Sequence, residues 1–137
     1  MWFRRKTTKQ LKPEGFGYSL GDPDDPDVLI YLHTSSKVGW LRMDYVFSLN
    51  RYPKKDTINV MVVDQRHHDV SDIEIVMSGD QMFVRLPDDD ASQLDNITEY
   101  TLSFEGEDSE ILEEINTVLE KLFEPSVKGT YRRTNNA

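Results

Sequence analysis

Between Leu41 and Asn50 the chain alternates without a break. Leu41, Met43, Tyr45, Phe47 and Leu49 take one parity, and Arg42, Asp44, Val46, Ser48 and Asn50 take the other. Successive side chains of a strand point to opposite faces, whereas a helix would scatter these large apolar groups around its surface. The run predicts a long strand with one buried side.

Other segments read the same way. Val28 to Thr34, "VLIYLHT", is a compact apolar and β-branched strand, and Phe16, Tyr18 and Leu20 alternate as a short edge strand. "SSKVG" and "RYPKKD" are turns. Ile58, Val60 and Val62 resume a strand; Met61 and Val63 are apolar as well, so both of its faces are expected to be covered, at least in part. Ile73, Ile75 and Met77 run out, and Met82, Val84 and Leu86 run back. Gly79-Asp80 centres a tight hairpin between them, since glycine at the first turn position permits type II′ geometry. "LPDDDASQLDN" reads as a solvated polar connection, and Thr98, Tyr100, Leu102 and Phe104 mark the last strand.

At Asp108 the period changes. Ile111, Leu112, Ile115, Val118, Leu119, Leu122 and Phe123 recur at three and four residues, the spacing of an amphipathic helix. Asp108 or Ser109 suits its N-cap, Glu110, Glu113 and Glu114 suit its positive end, and Pro125 stops it. The expected fold is α+β: a meander of five to six antiparallel strands, with one C-terminal amphipathic helix packed on one face of the sheet. The expected organisation is a basic tail over residues 1–12, a single domain over 13–125 and a second basic tail over 126–137.

Charge divides along the same lines. Residues 13–127 hold all 25 acids against eight bases, a net of −17. Arg4, Arg5 and Lys6 with Lys9 and Lys12 lie before that body, and Lys128, Arg132 and Arg133 after it. Such a body repels nucleic acid through its overall field, which sets direct nucleic-acid binding at a disadvantage despite the Trp2-Phe3-Arg4-Arg5 cluster. It favours a basic protein partner. The chain has no cysteine, which excludes disulfides, thiolate metal sites and cysteine nucleophiles. No apolar run approaches the roughly 20 residues that span a bilayer. The expectation is a soluble cytoplasmic protein with no membrane partner and no cofactor.

The one stretch that resembles a site is "DQRHHDVSD". Asp64, His67, His68, Asp69 and Asp72 supply the atoms a divalent metal wants. Their spacing is poor, because adjacent histidines on a strand point to opposite faces, and neither H-E-x-x-H nor G-x-S-x-G occurs. The stretch is expected to be a solvated connection between two strands. "GDPDDPD" fails the calcium-loop pattern at its sixth and twelfth places. Asp88, Asp89, Asp90 and Asp95 form a candidate acidic docking surface. No assembled active site is legible, so the expected function is that of an accessory protein of the inhibitor, immunity or adaptor type, binding another protein through its acidic surface or an exposed sheet edge. Two alternatives remain: a metal-dependent hydrolase using the His67/His68 loop, and a structural protein that self-assembles through its sheet edges.

Overall fold

The computed structural model describes residues 7–22, 25–38, 41–52, 55–63, 66–124 and 127–134. The elements run β1 (Thr8–Leu11), β2 (Gly15–Asp22), β3 (Asp25–Val38), β4 (Leu41–Arg51), β5 (Ile58–Val63), β6 (Arg66–Val70), β7 (Glu74–Ser78), β8 (Gln81–Arg85), α1 (Asp88–Ser92), β9 (Glu99–Ser103), α2 (Ser109–Leu122) and β10 (Thr130–Thr134). The fold is α+β and is built on two five-stranded sheets.

The first is a pure antiparallel meander, β2-β3-β4-β5-β6. The alternating run supplies its centre, with β4 paired to β3 from Val28↔Arg51 to Val38↔Leu41 and to β5 from Val46↔Val63 to Asn50↔Asn59. The segment read as a turn after Thr34 instead continues β3 as far as Val38. The second sheet has the order β1-β9-β8-β7-β10 and is mixed, because both of its edge strands run parallel to their neighbours. Its middle is the expected hairpin, where Gly79 has a φ of 58°, the positive value that type II′ geometry requires.

Four further segments differ from expectation. Residues 66–70 of "DQRHHDVSD" are not a loop; they form β6, paired with β5 from Ile58↔Val70 to Val62↔Arg66. A strand at a sheet margin needs little apolar content: Val70 is buried, and His68 and Arg66 bond to Asp90 of α1 and to the Leu94 carbonyl just beyond it. The triple aspartate opens α1, a single turn held by burial of Ala91, with Leu94 buried just beyond it. Thr8–Leu11 and Thr130–Thr134, inside the segments read as tails, are the outer strands of the mixed sheet, anchored by Leu11 and Tyr131 against the core.

The sheets meet through Phe47 of β4 and Tyr100 of β9, whose rings lie 4.8 Å apart at 55°. Ile30, Leu32, Leu49, Val60 and Val62 face Ile75, Met82, Val84 and Leu102 in one core. Each such side chain contributes roughly 1.5–3 kcal/mol by leaving water. Helix α2 closes the sandwich against β2, β3 and β10, burying Ile115, Val118, Leu119 and Leu122. Asp108 caps it, accepting the Ile111 amide at 2.9 Å. Phe123 stacks on Tyr131 of β10 at 6.1 Å, and Glu113 pairs with Arg133.

Candidate interaction surface

The histidine stretch is divided by its own strand. His68 points inward, where its Nε2 lies 3.0 Å from Asp90 Oδ1 of α1, and Arg66 on the same row donates to the Leu94 carbonyl at 2.9 Å. His67 and Asp69 point outward, where Asn59 Nδ2 meets His67 Nδ1 at 3.3 Å and donates to Asp69 Oδ1 at 3.0 Å. Asp72 is exposed in the bend after β6, and Asp64 lies outside the described residues. His33 shares the outer face with His67 but sits on β3, three strands away in the sheet order, roughly 14 Å at the usual strand spacing. Among the described residues no group of three or more His, Asp or Glu side chains is placed to hold a metal ion.

The acidic quartet is divided too. Asp88 and Asp89 lie in the first turn of α1, with Asp89 exposed. Asp90 is engaged by His68. Asp95 works inside the molecule as the tie between the sheets. It accepts a short hydrogen bond from the Tyr45 hydroxyl of β4 and another, at 2.5 Å, from the Tyr100 hydroxyl of β9. Burial, reinforced by those bonds to Asp95, pushes both phenols above the ordinary tyrosine value. Lys9 of β1 lies 4.2 Å over the Tyr45 ring, so a third strand joins the tie. Phenols held neutral in this way are poor proton-transfer groups near pH 7. Arg4, Arg5 and Lys6 lie outside the described residues, while Arg133 is paired and Arg132 is exposed on the outer face of β10.

A surface that the sequence did not single out emerges from the meander's register. Three cross-strand rows line its outer face: Ser19, Leu29, Asn50, Asn59 and Asp69; then Gly17, Tyr31, Ser48, Met61 and His67; then Gly15, His33, Val46 and Val63. Tyr31 is 38% exposed and Val63 36%. A Cβ built on Gly15 or Gly17 would meet nothing within 4 Å, so the space above β2 is open. Helix α2 and α1 both pack on the inner side. No described residue of these rows is Lys, Arg or Glu, and Asp69 is their acid; beyond the rows the same parity carries Asp27 at that end and Asp44, Lys37 and Arg42 at the other. Val63 is also strained. Its φ of 60° lies in the left-handed region, where a β-branched side chain costs roughly 1–2 kcal/mol.

The mixed sheet's outer face is different. Arg85 bridges Glu99 at 3.1 Å and Glu74 at 3.8 Å across three strands. Beside this row, Phe83, Val76, Thr101 and Arg132 line a shallow depression of about 380 Å³. The depression combines charges of both signs that largely neutralise one another, the usual dress of a solvated sheet.

No protein family, curated protein sequence or solved structure matches the chain. Among the described residues no helix is long and apolar enough to cross a membrane.

Proposed function

We propose that this chain is a cytoplasmic protein-binding accessory module, of the inhibitor, immunity or adaptor type, which docks its partner on the outer face of the meander sheet. One observation carries the reading. The apolar residues Leu29, Tyr31, Val46, Met61 and Val63 occupy the solvent parity of a sheet whose other parity fills the core; Tyr31 and Val63 are exposed, and Leu29, Val46 and Met61 are half-buried. Apolar side chains gathered on the solvent face of a sheet, in a chain whose residues are 30% charged, suit an interface. The docking site thus moves from the aspartate cluster and the sheet edge to the sheet face. The acidic body then acts at longer range, raising the rate of encounter with a basic partner.

Native chain, Met61→Lys and Phe83→Lys are to be compared as immobilised baits. Lys at 61 places a charge on the meander face, and Lys at 83 does the same on the mixed face. A partner retained by native chain and Phe83→Lys but lost from Met61→Lys supports the reading. Equal retention by all three sinks it.

A further inference from the structure

We infer that the partner presents a basic amphipathic helix, laid with its apolar side on the Tyr31–Met61 row and its cationic side chains toward Asp27 and Asp69. The inference rests on the docking reading above and specifies what docks.

Size argues first. Five strands span roughly 19 Å across, and three alternate rows span roughly 14 Å along the strands. With side-chain margins these three rows offer roughly 300–450 Å² in plan. A stable globular interface takes about 800 Å² from each partner, so a second copy of this chain held by this face alone falls short. A helix about 10 Å thick fits, since about 13 residues of it match the 19 Å width.

Relief argues next. Gly15 and Gly17 lower the face along β2, while Tyr31, Met61 and Val63 raise it further in. A cylinder with apolar residues at i, i+3, i+4 and i+7 can lay that side along the Tyr31–Met61 row.

Charge argues last. The three rows carry no basic residue; Asp27 and Asp69 lie toward the end where Asp56 is also exposed, and Lys37 and Arg42 take the same parity only at the far end of β3 and β4. Lysines flanking an apolar stripe would meet carboxylates there. An acidic helix would meet net repulsion from a body of −17, set by its 25 acids against eight bases.

The probe is a labelled, end-blocked peptide of about 14 residues with Leu on one helical face and Lys elsewhere, beside a counterpart with Glu in place of Lys. Binding to the full chain is followed by fluorescence anisotropy at low and raised salt. The expected result is saturable binding of the Lys peptide, weakened about tenfold or more by Met61→Lys or Tyr31→Lys and within about twofold of native for Phe83→Lys. Asp27→Asn with Asp69→Asn should weaken binding and flatten its salt dependence. Absence of saturable binding, equal binding of the Glu peptide, or binding untouched by Met61→Lys would each overturn the inference. So would sedimentation showing a dimer that Met61→Lys dissolves, because the occupant would then be a second copy. If the peptide fails while a captured partner still depends on Met61, the partner chemistry falls and the docking face stands. If both fail, the docking reading falls with it.

Discussion

The two sheets spend the same residue alternation differently. On the mixed sheet the solvent parity holds Glu74, Arg85, Glu99 and Arg132 around one exposed aromatic, Phe83. On the meander the central rows of the solvent parity hold Leu29, Tyr31, Val46, Met61 and Val63 between asparagines, serines and histidines, with Asp69 at one end and Asp44, Lys37 and Arg42 beyond the other. Both inner parities contribute to the one core. A solvated antiparallel face is ordinarily polar, and the mixed sheet shows that this chain can build one. The apolar centre of the meander's outer face departs from that pattern, and the proposed docking would account for it.

The largest test concerns what the sheets share. Asp95→Ala removes the acceptor of both the Tyr45 and Tyr100 hydroxyls and leaves Tyr100, 1% exposed, without that partner. The expected loss is about 3 kcal/mol in urea unfolding. If the sheets form one cooperative unit, the transition stays single and shifts. Two separated transitions would make the sheets independent bodies and would change how their outer faces are compared. The same tie sets an alkaline limit. Phenols raised above their ordinary value of 10.0 bind their protons more tightly in the folded state. Their contribution is therefore complete below pH 10 and is lost as pH rises beyond it. Tyr131, pushed up to about 12 mainly by burial, adds to the same trend. Tyr45→Phe with Tyr100→Phe should flatten the fall in stability above pH 10, and an unchanged slope would show that the tie does not govern it.

Much of this fold is visible in the sequence, and the parts that are hidden share a cause. The β4 alternation, the Gly79-Asp80 hairpin and the Asp108-capped helix are local patterns, written within a few residues of the structure they form. The break into two sheets is not local. It falls between β6 and β7, where Ser71 and Asp72 resemble any other turn, and the pairing of β1 with β9 joins residues some ninety positions apart. Edge strands such as Thr130–Thr134 bury little, so their pattern is faint. For the same reason "RHHDV" passes for a loop. The docking face did leave one local signal, the apolar Met61 and Val63 on the second parity of β5. That signal leads one to expect a cover, and only the register shows that the described chain does not provide it.

The next test acts on the mixed sheet alone. Gly129 sits where a Cβ would lie 2.3 Å from the Ile73 carbonyl oxygen and 2.9 Å from Ile73 Cγ2. Both positions flank the start of the β7–β10 pairing, where the Thr130 amide donates to that same oxygen at 2.9 Å. Gly129→Ala should cost about 2 kcal/mol. Amide exchange should quicken in β10 and β7 while β3 and β4 keep their protection. Peptide binding on the meander face should persist, and its loss would mean that the two outer faces are coupled through the core.

The smallest test acts on the meander alone and sets stability against binding. Val63 keeps a β-branched side chain at a φ of 60° while 36% exposed. Asparagine tolerates this backbone conformation far better, and at this exposure little burial is lost in the exchange. Val63→Asn should therefore stabilise the fold by about 1 kcal/mol, a rise in melting temperature of about 3–5 °C. The same change removes an apolar group from the docking rows, so partner binding should weaken by about threefold as stability rises. A stabilised variant that binds as well as native would detach the strain from the surface and leave Val63 as a turn residue. An unstabilised one would show that the left-handed backbone costs nothing there. Gain of stability together with loss of binding is the outcome that sets the meander's outer face apart from the mixed sheet's, where replacing an exposed side chain should alter neither.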